Sequence, residues 1–578
     1  MRLSITRINQ EKILSILIGL FLCFFEGIYS LFSLTVYSPE GVFYGFILLI
    51  IIYIMSLNLF NFKLVWMDVL MCVIIGGYLS LFYNELGWQK YNVILLLFLY
   101  LGIRFVGKIN MAILYYALLL ICFALIVHGY LQYFEIMQSG NAFFKITGIY
   151  KNPSVYTGII LLIIIIPVGY VISNLRYKRF SRIWIISLVL VSLTLILLIL
   201  SRSRAAYVGL SISTFYMILQ CYRININWTL KNILLTIVLC GIIGGCGYGV
   251  YLYKKDSADG RVLIWKISMN MIKDKPVTGF GPEGFKEHYM HYQAEYLKKS
   301  NDNRIKSIAG SNHLAYNEII RIWIEYGILG LGAYIAILAL FLSISGKSQV
   351  IYSLKGVVVG YIVWGMFNYP KEVLNIQILI IVVFALLAKR MNPIKRITKA
   401  SSIILRCVIV LMLIFVSIKE RDLSVSYNAY AELLSSYKGI DQYSLIVELN
   451  RLEKDLRYEP GYWAFYCTAL YHFHDTILLK DKIYSWIRIF PSPGNYLLLG
   501  DMYFRNKEYE HAEQAYEKAH NMAPSRQAAR GKLIWLYKET GREEQARLLA
   551  NEVLCEGVKI YGFETYKLHL QIQDLFGK

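Results

Sequence analysis

Ser201-Arg202-Ser203-Arg204-Ala205-Ala206 joins two long apolar runs, which we predict to span 182–201 and 204–222. Apolar runs of about 18 to 22 residues are long enough to cross a bilayer as helices. Because so few residues separate the two runs, we expect an antiparallel pair of membrane helices with Arg202 and Arg204 at one membrane surface.

The whole chain has the composition of a membrane protein. Of its 578 residues, 57% are hydrophobic and only 17% are charged, whereas about a quarter of a soluble protein's residues are charged. The apolar runs predict an all-α, polytopic membrane protein with about 12–13 transmembrane helices. The expected spans are 13–34, 43–61, 64–83, 92–107, 110–132, 157–174, 182–201, 204–222, 231–252, 318–343, 351–368, 372–389 and 402–418.

The net charge of +21 has two interpretations. It is compatible with nucleic-acid binding, but membrane proteins also collect Lys and Arg on their cytoplasmic loops. With the N-terminus in the cytoplasm, the basic clusters at 176–182 and 389–399 both fall on the cytoplasmic side. The second interpretation is therefore favoured, and it places the polar loop 253–314 and the tail on the extracytoplasmic side.

Two domains are predicted, a polytopic membrane domain over 1–418 and an extracytoplasmic helical domain over 419–578. In the tail, apolar runs stop and charges of both signs appear. The spacing of Leu499-Gly500, Tyr503, Ala512 and Tyr516 is typical of a tetratricopeptide repeat (TPR), in which small residues lie where two helices touch. Such arrays usually bind a partner chain; the alternative is that the tail only supports the membrane domain.

Three arginines are candidates for binding an anion. Arg202 and Arg204 lie at the outer end of a membrane helix, where an arginine needs an anionic partner or water. The alternative is that both side chains extend to lipid phosphates. Arg261 follows the turn pair Asp259-Gly260, so we expect it at or near a helix N-terminus, where backbone N–H groups also favour anions. Pro276 to Gly284 predicts a tight corner after that helix.

Candidate acid–base groups surround the start of the span at 318–343. On a continuous helix His313, Tyr316, Asn317 and Arg321 would share one inward face. Glu318 and Glu325 flank Arg321 at helical spacing, so a structural ion pair is the alternative for that residue. His288 and His291 are three residues apart, but without further ligands no metal site is expected.

Arginines at an outer membrane surface beside a base suit a lipid-linked pyrophosphate. Guanidinium groups would neutralise the diphosphate leaving group as its bond to a sugar breaks. His313 or a neighbour would take the proton of an acceptor hydroxyl. An anion transporter could use the same arginines, so the residues alone leave both interpretations open.

The chain resembles the O-antigen ligase and polymerase superfamily of bacterial envelope glycosyltransferases over about residues 148–331, including members with a C-terminal TPR tail. The resemblance rests on a set of short motifs whose order and spacing match: Gly148…Asn152-Pro153, Ser203-Arg204, Gly260-Arg261…Trp265, Pro276…Gly279…Gly281…Phe285 and Asn317-Glu318…Glu325…Gly327…Gly330.

This resemblance implies a metal-independent glycosyltransferase of lipopolysaccharide biosynthesis, with no cofactor, in the bacterial inner membrane. It would move an undecaprenyl-pyrophosphate-linked glycan to lipid A core or to a protein hydroxyl on the extracytoplasmic face. Three further functions stay open: a polymerase that joins repeat units, a transporter or flippase for lipid-linked sugars, and a non-catalytic assembly scaffold that recruits partners through the tail. Inverted internal repeats would favour transport, and none is visible in the sequence.

The resemblance also implies roles for individual residues. Arg204 and Arg261 match the pyrophosphate-binding arginines of the family, and Arg202 is a weaker candidate. The ligases typically place a catalytic His directly before the Asn that matches Asn317, but this chain has Tyr316 there. We expect His313 to substitute as the base; otherwise Tyr316 would orient the acceptor, with Asn317, Glu318 and Arg321 shaping the site.

Overall fold

A computed structural model describes residues 2–28, 39–57, 63–150, 152–223, 255–346, 348–558 and 562–576. The chain folds as two compact units. The first unit comprises residues from 1–245, 316–319 and 332–428, and the second comprises residues from 246–315, 320–331 and 429–578. The expected loop 253–314 therefore belongs to the same unit as the tail from residue 429 onward.

Almost all regular structure in the described ranges is helical. The helices are α1 (Arg2–Cys23), α2 (Pro39–Ser56), α3 (Trp66–Phe82), α4 (Gln89–Phe105), α5 (Met111–Tyr133), α6 (Pro153–Tyr177), α7 (Arg182–Ser201), α8 (Arg204–Tyr222), α9 (Lys255–Asp274), α10 (Gly284–Lys299), α11 (Asn303–Ile308), α12 (Glu318–Ser343), α13 (Gln349–Gly365), α14 (Leu374–Ala388), α15 (Lys399–Ser436), α16 (Gln442–Leu456), α17 (Pro460–His472), α18 (Thr476–Ile489), α19 (Pro493–Arg505), α20 (Tyr509–Met522), α21 (Ala528–Glu539), α22 (Glu543–Cys555) and α23 (Phe563–Phe576). Strands β1 (Lys63–Leu64) and β2 (Lys395–Arg396) pair antiparallel, with Lys63 opposite Arg396.

Apolar helices dominate the first unit, as expected for an all-α polytopic membrane protein. Among the described helices, α5, α6, α7, α12 and α15 are long and apolar enough to cross a membrane, by length and composition. Shorter apolar helices are Gly41–Ser56, within α2, together with α3, α13 and α14. Each expected span overlaps a described helix except 231–252, which lies outside the described residues.

Glycines allow α6, α8 and α13 to pack against one another at the centre of the first unit. A side chain at Gly158 of α6 would meet the Trp364 ring at 2.5 Å, and one at Gly356 of α13 would meet Met217 of α8 at 2.8 Å. Small residues let helices approach closely, which matters in a membrane because no hydrophobic force draws helices together there. This packing supports the N-terminal ends of α6 and α8, where the candidate site lies.

In the second unit the tail helices share a core with the loop helices. Met522, at the end of α20, is fully buried among residues of α9 and α10, including Ile267 and Tyr289. Within the tail, α19 packs on α20 and α21 on α22. A side chain at Gly500 would collide with the Tyr516 ring, which is the close helix contact that the tail pattern predicts. The assignment of the tail as a TPR array stays a prediction.

Candidate functional site

Arg202 and Arg204 lie in the turn between α7 and α8, as predicted. Arg202 ends α7 in the left-handed conformation (φ 55°), and its N–H donates to Ile199 O at 3.1 Å. Arg204 is the first residue of α8, and the side chain of Ser203 makes no capping hydrogen bond. The first N–H groups of a helix attract anions, so the Arg204 side chain and the α8 N-terminus both favour a negative ligand. Arg204 is half-buried, whereas Arg202 is exposed.

The Asn152-Pro153 motif is attached to this turn by hydrogen bonds. Asn152 caps α6 by accepting the N–H of Ser154 at 2.8 Å, and Pro153 occupies the first turn, where its missing N–H costs nothing. One turn further along, Thr157 Oγ1 donates to Ser203 Oγ at 2.7 Å. Thr157 also donates to Pro153 O at 2.9 Å, so it links the start of α6 to the residue before α8 across 46 positions of sequence.

Two residues that we did not predict complete this cluster. Asn152 Nδ2 donates to the hydroxyl of Tyr369 at 2.5 Å, and Ser154 Oγ donates to Asn368 Oδ1 at 2.7 Å. Asn368 and Tyr369 lie between α13 and α14, where the polar Asn-Tyr-Pro-Lys-Glu sequence interrupts two apolar runs. That interruption was the signal that could have indicated them.

The segment from Tyr316 to Glu318 joins the same cluster. The Tyr316 ring packs edge-on against Tyr369, with centroids 5.6 Å apart, and the residue has an unusual positive φ of 50°. Asn317 Oδ1 accepts the N–H of Ile319 at 3.0 Å, and Glu318 is buried beside Gly365. Strained backbone conformations concentrate at functional sites, so Tyr316 is a candidate contact for a ligand.

The predicted helical face through His313 and Tyr316 is wrong. The helix begins at Glu318, and residues 311–317 have no helical structure. His313 belongs to the second unit, whereas Tyr316 belongs to the first. The physical reason is local, because the Asn317 side chain caps the helix start and the positive φ of Tyr316 turns the chain before it.

Arg261 is also placed differently from our expectation. The described part of α9 begins at Lys255, so Arg261 lies six residues inside a helix and away from its free N–H groups. It is half-buried, and Trp265 lies one turn further on the same face. Trp265 Nε1 donates to Ala315 O at 3.0 Å, which brings this face of α9 beside the segment that carries His313.

The Gly/Pro segment after α9 forms the predicted corner and binds the backbone of α12. Phe280 N–H donates to Ile324 O at 2.8 Å, Gly281 N–H to Glu325 O at 2.9 Å, and Ile328 N–H to Pro276 O at 2.9 Å. Gly327 breaks α12 with a φ of 63° and leaves no room for a side chain against Val277 O. The glycines thus allow two backbone segments to touch.

His313 lies in the second unit with its ring stacked on Phe490 of the tail, at a centroid distance of 3.7 Å. Both ring nitrogens are buried, and neither makes a hydrogen bond of normal geometry to any described residue. Burial and the nearby Lys286 ammonium lower the pKa of His313 to about 4, while the Lys286 backbone opposes this slightly. The imidazole is therefore neutral near pH 7 and able to accept a proton.

The remaining candidate side chains contact other groups of the protein in ways that suit a structural role. Arg321 forms a buried ion pair with Glu325, which is the alternative that the sequence left open for it. His288 Nδ1 lies 3.1 Å from Gly284 O, and His291 packs edge-on against Tyr496 of the tail. Among the described residues, no three His, Cys, Asp or Glu side chains are grouped to hold a metal ion.

Each unit thus collects part of the predicted site. In the first unit, Thr157 contacts Ser203, the residue before Arg204. Asn152 and Ser154 contact Tyr369 and Asn368, and the Tyr369 ring packs on Tyr316. The second unit brings the face of α9 that carries Arg261 next to the His313 segment. A chamber shared by Arg204 and Arg261 stays a prediction.

Residues 188–335 match the family model Wzy_C, described as O-antigen ligase. The matched range runs from α7 into α12 and contains Arg202, Arg204, Arg261 and His313. No significant match was found among the curated proteins. The family match supports the O-antigen ligase superfamily for this part of the chain and, with it, a glycosyltransferase-like enzyme with a ligase-type role in glycan transfer. The apolar helices of the first unit agree with a multi-pass membrane protein.

Proposed function

We propose that the protein is an O-antigen ligase-like glycosyltransferase that moves an undecaprenyl-pyrophosphate-linked glycan to an acceptor hydroxyl. The acceptor is lipid A core or a protein, on the extracytoplasmic face of the bacterial inner membrane. The observation that carries this proposal is the α7–α8 turn, because it holds Arg204 at a helix N-terminus within the range that matches the ligase family. This arrangement suits a diphosphate at the depth of the lipid headgroups.

In the proposed reaction the acceptor oxygen bonds to the anomeric carbon as the bond from that carbon to the pyrophosphate breaks. The electron pair stays on the departing undecaprenyl pyrophosphate, whose charge Arg204 and Arg261 stabilise. The hydroxyl proton passes to His313, which accepts it because its imidazole is neutral near pH 7. Tyr316 and Asn317 orient the acceptor, and the α8 N-terminus helps to hold the donor. The reaction needs no metal ion.

A bound donor also makes His313 a stronger base. A pKa of about 4 is low for general-base catalysis at neutral pH. An anion near the ring favours the imidazolium form and raises its pKa. We therefore expect the pyrophosphate to offset the part of the lowering that comes from Lys286, so that the pKa of His313 rises when the donor is bound.

The TPR-like tail supplies a second, binding role. A cavity of about 960 Å³ lies between its helices, lined by the rings of Tyr471, Phe504 and Trp535. Four exposed basic side chains, which include Arg526 and Lys567, outnumber the carboxylates of Asp501 and Glu564 in its lining. Aromatic rings beside basic groups suit an extended acidic segment of a partner protein. A labelled acidic peptide should bind the full-length protein, and a peptide with lysine in place of each acid should not. Equal binding of both peptides would contradict this role.

The transfer assay uses purified full-length protein in nanodiscs with an undecaprenyl-pyrophosphate glycan and lipid A core as acceptor. We expect Arg204→Ala and Arg261→Ala each to lower transfer at least a hundredfold, because each removes a charge that stabilises the leaving group. Arg223→Ala is the matched control, since Arg223 ends α8 in the same backbone conformation as Arg202 ends α7. Unchanged transfer in the Arg204 variant would contradict the proposal. Products longer than one added glycan would identify a polymerase instead.

A further inference from the structure

The most unusual contact outside the arginine cluster joins the candidate base to the tail. The His313 ring lies nearly parallel to Phe490, at 26° and a centroid distance of 3.7 Å. The two residues lie 177 positions apart in the sequence. The contact uses the face of the imidazole, and both nitrogens, on the ring edge, are buried without a hydrogen bond of normal geometry to a described residue.

Phe490 belongs to a rigid turn between α18 and α19. Pro491 and Pro493 flank Ser492, and a reciprocal capping box joins Ser492 to Asn495. Asn495 is fully buried, and its side chain also donates to Phe490 O at 2.8 Å. Two prolines and three hydrogen bonds fix the backbone that carries the Phe490 ring, so the ring is a preformed surface.

The loop segment before His313 is attached to the same tail. Gln293 Nε2 donates to Gly310 O at 2.8 Å and to Met522 O at 2.6 Å, so one buried amide joins the loop to α20. Ser525 Oγ donates to Ala309 O at 2.8 Å. These bonds fix the chain three to four residues before His313, and the stack on Phe490 fixes its ring.

A buried polar atom without a hydrogen bond is costly and calls for an explanation. Neither nitrogen of His313 has such a bond to a described residue, although the backbone around the ring is firmly held. A hydroxyl group of a bound acceptor is a suitable partner, because it can donate to the neutral imidazole. A general base needs a fixed ring whose nitrogen is not already hydrogen-bonded, and the His313 ring meets both conditions among the described residues.

We propose that Phe490 is a positioning residue for His313, so that the tail forms part of the transfer site and is more than a docking module. This inference rests on the proposed function in one respect, the catalytic role of His313. The stacking itself can be tested without any activity.

The first test measures the reactivity of His313 toward diethyl pyrocarbonate, by peptide mass spectrometry, on the full-length protein in nanodiscs. We expect Phe490→Ala to raise the modification rate of His313 at least fivefold and Phe490→Tyr to leave it near the wild-type rate. The control is Phe465→Ala, because Phe465 is a half-buried tail residue whose ring packs on Tyr437, with centroids 5.3 Å apart, whereas the ring stacked on His313 is that of Phe490. An unchanged rate in Phe490→Ala would overturn the proposal.

The second test measures transfer kinetics with the same variants. We expect Phe490→Ala to lower kcat at least tenfold with little change in KM for the donor. Phe490→Tyr, which keeps an aromatic ring at this position, should have a kcat near that of the wild type. Unchanged kcat in Phe490→Ala, or an equal loss in Phe465→Ala, would overturn the positioning role. If the wild type itself transfers no glycan, the proposed function fails, and the modification rates still decide whether Phe490 holds His313.

Discussion

At the scale of single residues, Arg204 and Tyr316 owe their positions to neighbours that are distant in sequence. Thr157 holds Ser203, the residue before Arg204, and Tyr369 packs on Tyr316 while accepting a hydrogen bond from Asn152. The Tyr369 hydroxyl thus lies between the Asn152 motif and a residue that we propose orients the acceptor. Its loss should disturb the geometry of the site without unfolding the helices.

We therefore expect Tyr369→Phe to lower glycan transfer about fivefold, the equivalent of one lost hydrogen bond of about 1 kcal/mol. The matched control is Tyr44→Phe, because Tyr44 is 52% exposed on α2 and its ring packs on Phe24 and Phe43. Transfer should be measured at saturating donor with both variants at equal protein level. Equal activity of the wild type and the Tyr369 variant would show that this bond does not shape the site.

The sequence predicted Arg204 correctly at a helix end because an apolar run fixes where a membrane helix must stop. It failed for Arg261, since a Gly within a soluble helix does not by itself mark a boundary, and α9 continues through Gly260. It also failed for Asn368 and Tyr369. Only tertiary structure brings those residues to Asn152, and no spacing rule connects positions more than 200 residues apart.

At the scale of elements, the corner after α9 and the break in α12 depend on each other. Gly279 has a φ of 72°, and a side chain there would lie 2.5 Å from the backbone of Glu325. Gly327 has a φ of 63° and faces Val277 O. The two glycines permit the backbone hydrogen bonds between the corner after α9 and the break in α12. We therefore interpret Gly279 and Gly327, which belong to the motifs of the family resemblance, as structural residues.

Gly327→Ala should destabilise the protein by at least about 2 kcal/mol, because it adds both backbone strain and a steric clash. Thermal unfolding of the detergent-solubilised protein measures the effect. Gly332→Ala is the matched control, since Gly332 lies in the same helix and has open space around its Cβ position. A Gly327 variant as stable as the Gly332 variant would contradict the predicted clash.

At the scale of the whole molecule, the sequence predicted the positions of the helices better than it predicted which helices fold together in one unit. Apolar periodicity indicated where helices lie, but it could not show that the loop 253–314 and the tail form one unit. That grouping depends on tertiary contacts such as the burial of Met522 among α9 and α10. The loop histidines His291 and His313 and the tail histidine His520 are therefore half-buried within the same unit.

Removing residues 429–578 should leave membrane insertion intact, because the apolar helices and the expected span 402–418 of α15 all precede residue 429. It should also destabilise the loop, since α10 loses its contacts with α20 and the Gln293 side chain loses Met522 O. Hydrogen exchange of α10 peptides measures this, and we expect much faster exchange in the truncated protein. Unchanged exchange would contradict the shared core.

The second unit should also lose stability in acid. Burial lowers the pKa of His291, His313 and His520 to about 4, so each binds a proton more readily when unfolded. Stability is then full above about pH 6.5, the ordinary histidine value, and falls by up to about 1 kcal/mol per pH unit for each histidine as pH drops toward 4. Hydrogen exchange of α10 and α20 at pH 7 and pH 5, corrected for intrinsic rates, measures this. No loss of protection at pH 5 would contradict it.

The central claim is that Arg204 and Arg261 bind the pyrophosphate of a lipid-linked donor. The most direct measurement is the affinity of the full-length protein in nanodiscs for undecaprenyl pyrophosphate and for undecaprenyl monophosphate. We predict that the wild type prefers the pyrophosphate and that Arg204→Ala and Arg261→Ala each weaken its binding at least tenfold, with Arg223→Ala unchanged. Equal affinity for both lipids, or wild-type affinity in the Arg204 and Arg261 variants, would contradict the account.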